Sequence, residues 1–151
     1  MKTKLVLLLT LLTALAQSQA SGSITTFGGM AVQEGGRART LGRLFFENQV
    51  ATGAFAVHYD TGDLLSVRTT RILEVFIPGS TSFFTAEAIA VVRDNGQVRL
   101  VNGFVTVMVD DLDLGFLNFP DTIFVRFDTA TGTMFTRHGT LDQGEVNIVL
   151  P

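Results

Sequence analysis

From Ser21 onward, apolar and polar residues alternate with a period of two, the pattern of strands that bury one face. In Thr52–Asp60, Phe55, Val57 and Tyr59 share one side while Ala54, Ala56 and His58 share the other. Thr122–Asp128 sets Ile123, Val125 and Phe127 against Phe124, Arg126 and Asp128, and Glu145–Leu150 sets Val146, Ile148 and Leu150 against Glu145, Asn147 and Val149. Leu64–Ile77 and Val98–Asp110 are long, β-branched and threonine-rich, a composition that favours strand over helix. Phe83–Val92 contains Ala86, Glu87, Ala88 and Ala90, which a helix would tolerate. It is read as a strand because Ala86, Ala88 and Ala90 fall on one face, with Phe83, Ile89 and Val91 on the other.

Turn signals punctuate these runs. Asp94-Asn95-Gly96 is the strongest, since Asn-Gly accepts positive φ at both central positions of a tight hairpin. Thr61-Gly62, Pro78-Gly79, Thr131-Gly132 and Gln143-Gly144 mark further reversals. Gly28–Arg39, with its glycine pairs at 28–29 and 35–36, reads as a loop, and Ser23–Phe27 as a weaker strand. Some eight or nine strands with no helix beside them must cover their apolar faces with one another. The expected fold is all-β: a single antiparallel β-barrel or a compact β-sandwich.

The opening residues follow a different pattern. Met1-Lys-Thr-Lys is basic, Leu5 to Leu12 is an apolar run continued by Ala14, Leu15 and Ala16, and Ser18-Gln19-Ala20 supplies small residues at a cleavage site. This is the order of a cleavable signal helix. The run is too short for a bilayer crossing of about 20 residues. The expected organisation is therefore a signal peptide at 1–20 and one all-β domain at 21–151, exported to the periplasm or beyond, with no membrane span after cleavage.

Composition narrows the chemistry. The 151 residues contain no cysteine, which excludes disulfide scaffolds, thiolate metal sites and thiol catalysis. Both lysines lie in the signal, leaving nine arginines against 14 carboxylates. A mildly acidic domain with a pI near 5.2 is a poor binder of nucleic acid or anionic membranes. Thirteen phenylalanines with no tryptophan and one tyrosine predict a phenylalanine-rich core. They also offer little for stacking sugars.

The order of segments is similar to that of a known family. Gly42-Arg-Leu-Phe-Phe-Glu followed by Thr52-Gly-Ala-Phe-Ala-Val-His-Tyr-Asp resembles a strand pair ending in "G-x-L-x-Y-x-D", and Leu65-Ser-Val-Arg-Thr-Thr-Arg-Ile resembles "L-x-V-x-S-T-x-I". Ala86-Glu-Ala-Ile-Ala-Val resembles "A-x-x-x-G-x-A-x-V" without its glycine. Phe104-Val-Thr-Val-Met-Val-Asp-Asp, Pro120-Asp-Thr-Ile-Phe-Val-Arg-Phe and Gly139-Thr-Leu-Asp-Gln-Gly-Glu-Val-Asn-Ile resemble "F-x-V-x-V-x-D", "D-x-F-x-I-x-I" and "G-x-L-x-x-G-x-I-x-I". The ordered set, over about Arg37 to Leu150, resembles the small exported bacterial β-domains called post-COAP domains. The resemblance implies a compact antiparallel fold, alone or appended to larger surface proteins. It implies no reaction and carries over no functional residue.

Candidate chemistry is sparse. Asp110, Asp111 and Asp113, followed by Asn118 and Asp121, place hard oxygen ligands between two strong strands, where an exported protein could hold calcium. The spacing lacks the D-x-D-x-D-G pattern of an EF-hand, and Leu112, Leu114, Phe116 and Leu117 intervene, so a solvated strand end with an Asp-capped turn is the preferred reading. No other cofactor is implied. His58 and His138 come with no nucleophile elbow and no set of zinc ligands. Arg68 and Arg71 are expected on opposite faces of their strand, pairing with a cross-strand carboxylate such as Glu74 or Glu87, and Arg126 lies between two inward residues. The glycine pairs open no phosphate-cradling helix.

Three functional classes remain. The leading one is a non-catalytic binding module that meets another surface protein or polymer outside the cell. The second is a small barrel holding an apolar ligand among Phe55, Phe104, Phe124 and Phe127. The third is an enzyme with acid, base and arginine at a barrel mouth.

Overall fold

The computed structural model describes residues 23–33, 36–112 and 119–149. The expected signal at 1–20 lies outside the described residues, as does Asp113. Eight strands run in chain order: β1 (Ser23–Gln33), β2 (Gly36–Glu47), β3 (Val50–Tyr59), β4 (Leu64–Phe76), β5 (Thr81–Asp94), β6 (Gln97–Asp110), β7 (Thr122–Thr129) and β8 (Gly132–Val149). Each pairs antiparallel with its chain neighbour, and β1 pairs with β8 from Ile24↔Val149 to Gln33↔Gly139, so the sheet closes into a barrel. Closure decides between the two expected architectures, and it removes the free sheet edges that an open sandwich would have to protect.

The interior follows the alternation. Phe55, Val57 and Tyr59 of β3 and Ile123, Val125 and Phe127 of β7 point inward and are buried. On β5 the inward set is Ser82, Phe84, Ala86, Ala88, Ala90 and Val92. Its three alanines leave lumen space for rings from other strands. Phe27 of β1, Phe55 of β3 and Phe84 of β5 meet there, with ring centroids 5.7 Å apart for 27–55 and 55–84 and 6.4 Å for 27–84. These separations suit tilted and edge-on aromatic contact. Three strands spread around the circumference thus fill the middle of the barrel with phenylalanine.

Two glycine sites allow the closure. A Cβ on Gly42 of β2 would lie 2.1 Å from the Phe27 ring, so the ring rests on bare backbone. At the β1–β8 seam, Gly29 and Gly144 have φ of 149° and 111°, and a Cβ on either would fall within 2.0 Å of the opposite strand's carbonyl oxygen. Beside them the register shifts so that Met30 faces Gln143 and Ala31 faces Leu141, leaving Asp142 as the bulged residue. Such a bulge bends its strand and increases local twist.

These features correct two expectations. Gly28–Gln33 and Gly36–Arg39 are paired strands instead of a loop, because Gly28 and Gly29 permit close backbone approach within a ladder. Gln143-Gly144 is a bulge within the 18-residue β8 and not a reversal. The Asn95-Gly96 turn forms as expected, with φ of 51° and 78°. A second turn with both central residues at positive φ, Asn48-Gln49, joins β2 to β3.

β4 is the irregular strand. Its register against β5 shifts three times, between Leu64 and Ser66, Thr69 and Arg71, and Ile72 and Glu74. Its buried positions are consequently Leu64, Val67, Ile72 and Val75, spaced wider than strict alternation. The ladder from β3 to β4 holds only three pairs, Ala56↔Arg68, Val57↔Val67 and His58↔Ser66. Beyond them the Thr69 side chain replaces a strand partner: the Phe55 N–H donates to Thr69 Oγ1 at 2.9 Å, and that hydroxyl donates to the Phe55 carbonyl at 3.3 Å.

Candidate functional site

The acidic stretch after β6 is built as a structural knot. Asp110 ends β6 flanked by Thr81 of β5 and Thr122 of β7. Its Oδ1 accepts from Thr81 Oγ1 at 2.6 Å and its Oδ2 from Thr122 Oγ1 at 2.8 Å, so one carboxylate ties three strands. The Asp111 N–H donates to the Ser80 carbonyl at 2.8 Å. Asp121 does more. Its Oδ1 accepts the Leu112 N–H at 2.9 Å, its Oδ2 accepts the Val146 N–H at 2.7 Å, and its carbonyl accepts the Leu141 N–H at 2.8 Å. It therefore fastens the connection between β6 and β7 to β8 on both sides of the bulge.

Bonds to an ionised acceptor are stronger than neutral ones. A cation at this place would have to displace protein donors already in position. Among the described residues, no group of three or more His, Cys, Asp or Glu is placed to hold a metal. A cleft of about 620 Å³ lies beside the knot, lined by Asp111, Pro120, Asp121, Asp142, Glu145 and Asn147 among others. One of its carboxylates, Asp142, is paired with Arg37 at 3.0 Å.

The histidines are far apart. His58 is exposed on β3 and His138 exposed on β8. His58 faces Ser66 across the β3–β4 ladder, but no hydrogen bond joins the two side chains and the pair lies on the open outer surface. Nucleophilic catalysis needs a base bonded to the hydroxyl, and His58 and Ser66 do not form that bond. Tyr59 is buried with no partner for its hydroxyl; burial pushes its pKa well above the ordinary 10.0, opposed in part by the nearby charge of Arg137. It stays a neutral phenol.

The four phenylalanines proposed to line one pocket do not share a face. Phe55 and Phe127 are buried inside, whereas Phe104 is 49% exposed and Phe124 lies on the outer side of β7. The arginines also differ from expectation. Arg68 and Arg71 are both exposed, because the register shift between Thr69 and Arg71 adds a residue and brings positions three apart onto the same side. Arg71 pairs with Glu87 across the β4–β5 ladder, as the carboxylate argument anticipated. Arg126 pairs along its own strand with Asp128 at 2.8 Å.

Two features of the outer wall were not singled out from sequence. The first is a row of cross-strand neighbours, Phe76, Phe83, Met108, Phe124 and His138, running from β4 to β8. Phe76 is 62% exposed and Phe83, Met108 and Phe124 are half-buried. The second is a shallow groove of about 320 Å³ over β2, β3 and β4, with Arg39, Leu41, Ala56, His58, Ser66 and Arg68 along its walls and floor. Reading 36–47 as a strand would have revealed it, since Arg39, Leu41 and Arg43 then alternate outward.

The fold and surfaces together define the class: a closed, eight-stranded antiparallel barrel with a packed aromatic interior. Compared with known proteins, the chain matches no family model, no curated protein and no solved structure.

Proposed function

We propose that the protein is an exported, non-catalytic binding module of the bacterial cell surface or surroundings, which meets its partner through the outside of the barrel. The observation that carries this reading is the mutual contact of Phe27, Phe55 and Phe84, which occupies the space where a ligand-carrying barrel keeps its cavity. The signal pattern at 1–20 and the resemblance to post-COAP domains support export and attachment to a surface context. The outer row from Phe76 to Phe124 supports an external contact, because soluble monomers seldom leave large apolar patches uncovered. A barrel with an apolar ligand inside is the second reading, and the same rings oppose it.

Site-specific photocrosslinking in the exporting cell tests the proposal. A photoreactive residue at Phe76 or Phe104 should give discrete adducts with a partner. Native mass spectrometry of the purified protein should give the bare mass of the chain starting at Ser21. A copurifying apolar small molecule, with no adducts from the outer wall, would overturn it.

A further inference from the structure

The groove over β2, β3 and β4 sets two arginines across from each other with no carboxylate between them. Arg37, Arg71, Arg99 and Arg126 each have a carboxylate within 3.0 Å. Arg39, Arg43, Arg68, Arg93 and Arg137 have none among the described residues, and of these five Arg39 and Arg68 both line the groove. Register shows why. Outward of β3 stand Thr52, Ala54, Ala56 and His58, with no acid between the two arginine-bearing strands. Arg39 faces His58, which faces Ser66; one row away Leu41 faces Ala56, which faces Arg68. The small side chains of Ala56 and Ser66 make the floor. Arg39 and Arg68 stand diagonally across it, two strand spacings or about 10 Å apart in the sheet direction. Leu41, 71% exposed, lies between Arg39 and Arg43 on β2. Arg43 rests over the Phe45 ring at 4.8 Å.

Resting on the reading of the barrel as an exterior binding module, we propose that this groove receives an extended acidic segment of a partner protein, in which carboxylate and aliphatic side chains alternate. Charge complementarity selects the carboxylate, since guanidinium groups without internal partners keep their full donor fork for it. Same-side residues of an extended chain recur every 6.8 Å or so, the spacing at which Arg39, Leu41 and Arg43 recur along β2. The floor of small side chains favours a polypeptide over an acidic polysaccharide, because no phenylalanine, tyrosine or tryptophan ring lines the groove for a sugar to stack on.

The test uses the mature barrel and a dye-labelled peptide of alternating Glu and Leu, followed by fluorescence anisotropy. Micromolar binding that weakens with salt is expected, as for any contact dominated by exposed charge. The double variant Arg39→Glu/Arg68→Glu should weaken it by about tenfold or more and Leu41→Ser by about threefold, while Arg93→Glu on β5 leaves it unchanged. Circular dichroism should show all variants folded, since these side chains are exposed. Equal loss from Arg93→Glu, no effect of the double variant, absence of binding at millimolar peptide, or tighter binding of oligogalacturonate than of peptide would each overturn the proposal. Loss of peptide binding alongside surviving Phe76 adducts would remove only the groove's role and leave the exterior module standing.

Discussion

Removing the Asp121 carboxylate should cost far more than a half-exposed acid ordinarily would. Asp121→Ala strips the acceptor from two backbone amides, Leu112 at 2.9 Å and Val146 at 2.7 Å, in segments that water reaches only partly. Each hydrogen bond to an ionised group contributes about 1.5 to 3 kcal/mol, and the lower end applies here because solvent can replace part of it. The sum is about 3 kcal/mol. With an unfolding entropy of about 2.1 cal/mol/K per residue, a domain of about 130 residues should lose roughly 11 °C in Tm. Asp121→Asn keeps one carbonyl acceptor and turns an amide NH2 toward the other donor, so its loss should lie between. Thermal melting followed by circular dichroism measures the size, and hydrogen exchange locates it: the Val146 and Leu112 amides should exchange faster while Val107 and Phe127 keep their protection. A drop of under 3 °C, or uniform loss of protection across the barrel, would refute the view of Asp121 as a local clamp.

Phe84→Ala should destabilise by about 3 to 5 kcal/mol in urea unfolding, since the ring is fully buried between Phe27 and Phe55; a loss below 1 kcal/mol would mean the barrel collapses to fill the gap. Tyr59 is the only tyrosine and there is no tryptophan, so ultraviolet titration reports on it alone. Its folded pKa is raised above the unfolded value of 10.0, so its contribution to stability is complete below pH 10 and is lost as pH rises past it. Phenolate absorbance should therefore appear only as the barrel unfolds in alkali, and its appearance near pH 10 with the fold intact would contradict the burial. Calcium at about 5 mM should leave Tm unchanged, whereas a rise of several degrees would return Asp110 and Asp111 to the role of metal ligands.

Strand parity was legible in the sequence because it depends only on neighbours within a strand: Ile123, Val125 and Phe127 inward, and His58 outward, follow directly from alternation. By the same parity Phe124 and Phe127, three positions apart, lie on opposite faces, so their common pocket was excluded before any coordinates. Register was not legible. The residue inserted after Thr69 that brings Arg68 and Arg71 to one side answers to β5, and nothing local in Arg68-Thr69-Thr70-Arg71 marks it. The clamp at Asp121 was hidden for a related reason. Its amide partners lie 9 and 25 positions away, so the run of acids suggested a metal loop when the Asp110 and Asp121 carboxylates answer to internal donors.

Closure of the barrel shows how one misread segment governs the whole fold. With no helix among the described residues to cover it, a sheet whose strands carry Phe27, Phe55 and Phe84 inward must either stack on a second sheet or curl onto itself. Curling requires the first and last strands to meet, and here they meet where Gly28 and Gly29 pass Gly144 so closely that no side chain fits between them. The glycines that read as loop signals in sequence are thus the condition for the seam. Because Gly28–Arg39 was expected to be a loop, β2 was expected to begin late, and Arg39 lost its outward parity. Once that segment is a strand, the seam, the aromatic filling and the arginine groove follow together. With the lumen filled, the grooves lie on the outer wall, where Arg39 and Arg68 stand with no carboxylate partner among the described residues across a floor of Ala56 and Ser66.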